Sequence, residues 1–133
     1  FFNNLSAGNP INGFIDVHFC PLYVMQLSDL LLEMVRADLS GIYHVVSSDQ
    51  MTKYEFGCAI ADQFGLDATL IHPMSVIKSN LKAERSLNLT LSTKKLSTDL
   101  NRIIPSTLDG ITQFFKDYQS GYAQQIRNYS IEN

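Results

Sequence analysis

GIYHVVSSDQMTKYEFGCAIADQFGLD, residues Gly41 to Asp67, joins the two strongest local signals in the chain. Ile42-Tyr43-His44-Val45-Val46 is β-branched and aromatic and lies between Gly41 and the turn-forming Ser47-Ser48-Asp49, so it predicts a strand. It is apolar at nearly every position, the pattern of a strand buried on both faces. Thr52 followed by Glu55 has the spacing of a capping box, in which each side chain takes up a backbone N–H at a helix start. The helix so begun sets Phe56, Ala59, Ile60 and Phe64 on one side and stops at Gly65. Upstream, Leu27, Leu30, Leu31, Met34 and Val35 follow the helical period and predict a helix from Gln26 to Ala37. Before it lie an extended Pro21–Val24, a strand from Ile11 to Val17, and a helix end from Phe1 to Leu5 stopped at Gly8. Downstream, Ala68 to Ile71 reads as a short strand, Ser75 to Asn80 as a helical turn and Asn88 to Leu91 as extended. Ser92 caps a helix running through Leu96 to Leu100. After Pro105, Ser106 or Thr107 caps a last helix carrying Leu108, Ile111, Phe114, Phe115 and Tyr118. Gly121 ends it, and residues 124–133 form a polar tail expected to fray. Helices alternating with short strands make an α/β fold.

The length of 133 residues and mass of 15.0 kDa suit a single domain, 1–133, exposing about 7,000 Å² when folded. Charged residues make up 17% and apolar residues 45%, which excludes a disordered chain. The net charge is −3 with no basic block, so phosphate-driven nucleic-acid binding has no footprint. Apolar runs are too short for a membrane span, and no leader pattern is present. Cys20 and Cys58 make no disulfide framework. These features describe a soluble, cytoplasmic domain. The opening Phe1-Phe2-Asn3-Asn4, without Met, predicts a piece of a longer protein.

Little in the chain could perform chemistry alone. His18, His44 and His72 share no ligand spacing and read as structural histidines, and Cys20 and Cys58 as inert thiols. No G-x-S-x-G, phosphate-binding loop or G-x-G-x-x-G occurs, and no two carboxylates pair. The electropositive stretch is Lys78, Lys82 and Arg85, then Lys94 and Lys95, interrupted by Glu84. It is either a solvated basic face or an anion site in which Arg85 grips a phosphate through two N–H groups.

The order of blocks resembles the dTDP-4-dehydrorhamnose reductases, members of the extended short-chain dehydrogenase/reductase superfamily. Gly41 to Asp67 is similar to that family's G-x-Y-H strand, Ser/Thr-led helix and F-G-L-D. Asp16 to Val24 resembles its D-Q-x-x-S-P-T-x-V segment, with Val17 in place of Gln and Leu22 in place of Thr; Leu27-Ser28-Asp29 resembles its L-A-D. Ala83 to Leu96 resembles A-x-R-P-x-N-x-x-L-S-x-x-K-L without a gap, with Ser86 in place of Pro, and Pro105 to Phe115 resembles the closing P-x-x-x-x-G-I/L helix. The resemblance covers nearly the whole chain but only the family's C-terminal, substrate-binding half. It implies a parent that reduces a nucleotide-sugar with NAD(P) in deoxysugar synthesis. The cofactor and the catalytic Tyr-x-x-x-Lys pair would lie in a missing N-terminal Rossmann domain; here Tyr43, Tyr54 and Tyr122 are followed four residues on by Ser47, Cys58 and Ile126. This chain is therefore expected to hold no catalytic, cofactor or metal residue and to be inactive alone. The substrate-binding residues implied are Arg85, matching the family's arginine, Asn88, Tyr23 and Lys82. The alternative is a non-catalytic relative that binds a partner or regulates one. Loss of the Rossmann half would uncover the Ile42–Val46 strand, whose open edge predicts a homodimer.

Overall fold

Thr52 and Glu55 close the capping box: Glu55 N donates to Thr52 Oγ1 at 3.1 Å, and Thr52 N donates to Glu55 Oε2 at 2.7 Å. The computed structural model in which they do so describes residues 1–79, 83 and 85–129. Its elements are α1 (Phe2–Ser6), β1 (Ile11–Phe14), β2 (His18–Phe19), α2 (Val24–Arg36), β3 (Met51–Thr52), α3 (Lys53–Phe64), β4 (Ile71–Met74), β5 (Asn88–Leu89), α4 (Lys94–Asp99), α5 (Thr107–Gln119) and α6 (Tyr122–Tyr129). This is the expected α/β class, with helices dominating and strands short.

The helix that begins at the capping box organises the first half of the core. α3 ends at Gly65, whose φ of 62° is the left-handed conformation a side chain would oppose. It lies so close on β1 that a Cβ at Gly13 would stand 2.9 Å from Tyr54 Cα. β1 pairs in parallel with β4, Ile11 opposite Ile71 and Gly13 opposite Pro73. Beneath α3, Leu5, Ala61 and Ile71 are buried. An aromatic cluster then ties α1 and α5 to it, with Phe2 4.7 Å from Phe64 and Phe64 4.9 Å from Phe114, ring centre to ring centre. A second core joins α2 and α4 through Leu30, Leu96 and Ile104.

A buried polar network fixes the start of α5. Thr107 N and Oγ1 donate to Asp49 Oδ1 at 2.7 and 2.9 Å, while Ser47 Oγ lies 3.1 Å from Thr107 Oγ1. Ser106 and Asp109 add a second capping box there.

Four expectations need correction. Ile42–Val46 is not a strand: among the described residues its backbone joins no ladder. It has no regular secondary structure, with Tyr43 and Val45 packed on the second core and Ile42 84% exposed. Lys95 holds it there, its Nζ 3.1 Å from Ile42 O and 3.9 Å from the centre of the Tyr43 ring. Propensity favours a strand here, but a strand also needs a neighbour. Ala68–Leu70 is a 3₁₀ turn, because Asp67 Oδ1 accepts from Thr69 N and Oγ1, and the strand runs instead from Ile71 through Pro73. Pro73 is tolerated in so short an edge pair. Thr93, not Ser92, is the N-cap of α4, although Ser92 Oγ accepts from Lys94 N at 3.4 Å. The tail expected to fray from Gln124 is helical to Tyr129; residues 130–133 lie outside the described residues.

Candidate functional site

β2 is the middle strand of a three-stranded sheet and gathers the site around it. His18 stands opposite Thr52 of antiparallel β3 and Asn88 of parallel β5. On one side β3 runs directly into α3, so Lys53, the first residue of that helix, lies against Val17 and donates its N–H to Val17 O at 3.2 Å. On the other side His18 N donates to Leu87 O at 2.9 Å, which brings in the segment that begins at Arg85. Between them is a cavity of about 500 Å³. Phe14, Val17 and Leu89 supply apolar wall; Lys53, Arg85 and Ser86 supply the polar groups. No carboxylate lines it among the described residues.

Lys53 Nζ sits 4.9 Å from the centre of the Phe19 ring, within cation–π reach. Arg85 is exposed and precedes a turn in which Ser86 Oγ donates to Asn88 O at 3.0 Å. That bond braces the turn where the resembling family has a proline. Val76 closes the cavity from a 3₁₀ turn capped by Asp16, whose carboxylate accepts from Val76 N at 2.9 Å and from the Ser75 hydroxyl. Those two bonds, Ser75 first, hold the Asp16 carboxyl below the usual carboxylate range.

The expected substrate-binding residues do not converge. Arg85 lines the cavity just described. Asn88 lines a different one, with Asp16 and His18, across the small sheet. Its Oδ1 accepts from Thr90 N and Oγ1 at 3.0 and 2.7 Å. Tyr23 lines a third, apolar cavity with Phe56 and Ile111. Its hydroxyl donates to Asp117 Oδ2 at 2.8 Å, and burial together with that carboxylate pushes the phenol up to about 12. Lys82 lies outside the described residues. Arg85 and Asn88 are three apart with the bend at Leu87 between them, and they line different cavities. Lys53 was missed, although it directly follows the predicted N-cap. The other cations are dispersed: Lys95 covers Tyr43, and Arg102 pairs with Glu33 at 2.6 Å.

His18, His44 and His72 are all exposed and lie in separate parts of the fold, and no metal-binding group forms among the described residues. Val17, at 2% exposure, and Leu22, packed on the second core, stand inward, which suits the apolar residues found at those positions.

Comparison with known proteins gives this geometry a setting. A probable low-salt glycan biosynthesis reductase of Haloferax volcanii is 28% identical over 121 residues, covering 89% of this chain and 40% of the relative. Methionine adenosyltransferase 2 subunit beta of Danio rerio is 41% identical over 58 residues, covering 44% of this chain and 18% of the relative. Among solved structures, a dTDP-4-dehydrorhamnose reductase from Bacillus anthracis in complex with NADP superposes with a TM-score of 0.79 at 21% identity, over 87% of this chain and 41% of that one. One from Yersinia enterocolitica gives 0.73 at 18%, over 86% of this chain and 40% of that one. The chain thus spans about two fifths of the length of these reductases. The family model for the RmlD substrate binding domain matches residues 1–120, and the chain belongs to that family.

Proposed function

We propose that this chain is the nucleotide-sugar-binding portion of an NAD(P)-dependent reductase, with the Arg85 cavity taking the substrate's phosphates. The observation that carries the reading is the cavity itself. Two cations and an apolar wall, unopposed by a carboxylate among the described residues, occur in a member of a substrate-binding family. Arg85 presents a planar fork suited to two phosphate oxygens, and the apolar wall suits a base or sugar face. The chain has no glycine-rich turn at a helix N-terminus, so the nicotinamide cofactor belongs to residues outside it. In the full-length protein, with NADPH and dTDP-4-dehydrorhamnose, Arg85→Lys should raise KM about tenfold or more, by the loss of a charge-assisted contact. Lys94→Gln, away from the cavity, should leave KM unchanged. Equal and small effects from both would return Arg85 to a solvated basic face.

The match to methionine adenosyltransferase 2 subunit beta favours a second reading, a non-catalytic relative that serves another enzyme as a partner-binding module. The two readings separate upstream of Phe1. A G-x-x-G-x-x-G turn and a Tyr-x-x-x-Lys pair there, with turnover of the sugar, support the reductase; degenerate positions and no turnover support the module.

A further inference from the structure

We propose that Lys53 is the second anion ligand of the Arg85 cavity and makes it selective for a diphosphate over a monophosphate. This rests on the reading of that cavity as a nucleotide-sugar site. Lys53 and Arg85 reach the cavity from elements far apart in the chain, one opening α3 and the other leading into β5. Neither has a carboxylate partner among the described residues. Glu55, the nearest acid on α3, is engaged by Thr52 N and Oγ1 at 2.7 and 2.9 Å and does not line the cavity.

The two cations differ in a way that suits two neighbouring phosphates. Guanidinium offers parallel N–H groups to one phosphate, whereas an ammonium is a compact charge that needs no fixed orientation to meet the next. In a nucleoside diphosphate sugar each phosphate carries one negative charge, so one cation per phosphate balances the pair. A monophosphate carries its charge, close to about −2 at neutral pH, on one phosphate, which the Arg85 fork can grip through two N–H groups with no second phosphate for Lys53 to meet. Lys53 is also positioned before any ligand arrives. Its N–H is bonded to Val17 O, its helix start is fixed by the capping box, and its ammonium rests on the Phe19 ring. Preorganisation of this kind lowers the entropy lost on binding. The apolar wall of Phe14, Val17 and Leu89 lowers the local dielectric and strengthens both contacts. A volume of about 500 Å³ is adequate for a small ligand.

Calorimetric titration of the full-length protein with dTDP-glucose and with dTMP tests this, because both ligands carry similar net charge and differ in its distribution. Lys53→Gln should weaken dTDP-glucose about tenfold or more and change dTMP by less than about twofold. Lys53→Arg should restore most of the loss, and the unfolding midpoints of both variants should match the parent. If Arg85→Lys weakens dTDP-glucose while Lys53→Gln does not, or if Lys53→Gln weakens both ligands equally, the role of Lys53 is overturned and the cavity reading stands. If dTDP-glucose does not bind, or Arg85→Lys has no effect on it, the cavity reading falls and this inference with it.

Discussion

Three carboxylates, Glu55, Asp109 and Asp16, each accept a backbone N–H at the start of a helical turn, and each is held below the ordinary carboxylate range. For Glu55 the main cause is the bond from Thr52 N, for Asp109 the Ser106 hydroxyl, and for Asp16 the Ser75 hydroxyl. A carboxyl whose pKa is lower folded than unfolded adds stability that is complete above the unfolded value and lost as pH falls through the folded one. The unfolding midpoint should therefore stay level from neutrality to about pH 5 and drop below about pH 4. Glu55→Gln should shrink that drop, and a midpoint unchanged down to about pH 3 would contradict it. Thr52→Ala removes the partner side of the same box and should cost about 1 kcal/mol in urea denaturation. Gly13→Ala meets backbone rather than a movable side chain, so about 1–3 kcal/mol is expected there. These positions were legible in part. The Thr52–Glu55 spacing announces the box, whereas nothing local to Gly13 announces α3 lying upon it.

Among the elements, helices followed their sequence signals more faithfully than strands. α2, α3 and α5 begin and end within two residues of their caps and periodic positions, because a helix satisfies its backbone within itself. Strands depend on neighbours, and Ile42–Val46 shows the consequence: it has the β-branched and aromatic propensity but no ladder among the described residues. What holds it is side-chain chemistry, the Lys95 contacts and the Tyr43 hydroxyl donated to Asp99 Oδ2 at 2.7 Å. The start of α5 depends on a different polar arrangement, buried around Thr107, which is 2% exposed. Thr107→Val would remove the hydroxyl that meets Asp49 and Ser47 while keeping the shape. A loss of about 1–3 kcal/mol is expected, with an unchanged denaturant slope. A change below about 0.5 kcal/mol would mean that Asp49 and Ser47 find other partners.

At the scale of the whole molecule, the accessible surface is 8985 Å², against about 7,000 Å² for an ordinary folded chain of this mass. Large apolar side chains stand on that surface: Ile42, Val35, Leu32 and Ile103 are 84, 77, 54 and 87% exposed. Such surface favours association, and the chain by itself should form a dimer at tens of micromolar. Sedimentation velocity checks this, and a single 15.0 kDa species would refute it. Titrated into the isolated chain, NADPH should show no saturable change in fluorescence; micromolar binding would overturn the assignment of the cofactor to residues outside it. The sequence alone determined the α/β class and the capped helices, and it suggested Arg85 as an anion ligand. Those features rest on contacts within a few residues, or on blocks whose order is read directly along the chain. Tertiary structure decided that Asn88 and Tyr23 line other cavities, that Ile42–Val46 lies unpaired among the described residues, and that Lys53 lines the same cavity as Arg85. Each of these depends on which distant segments meet, and that is set by packing between segments, which local spacing does not encode.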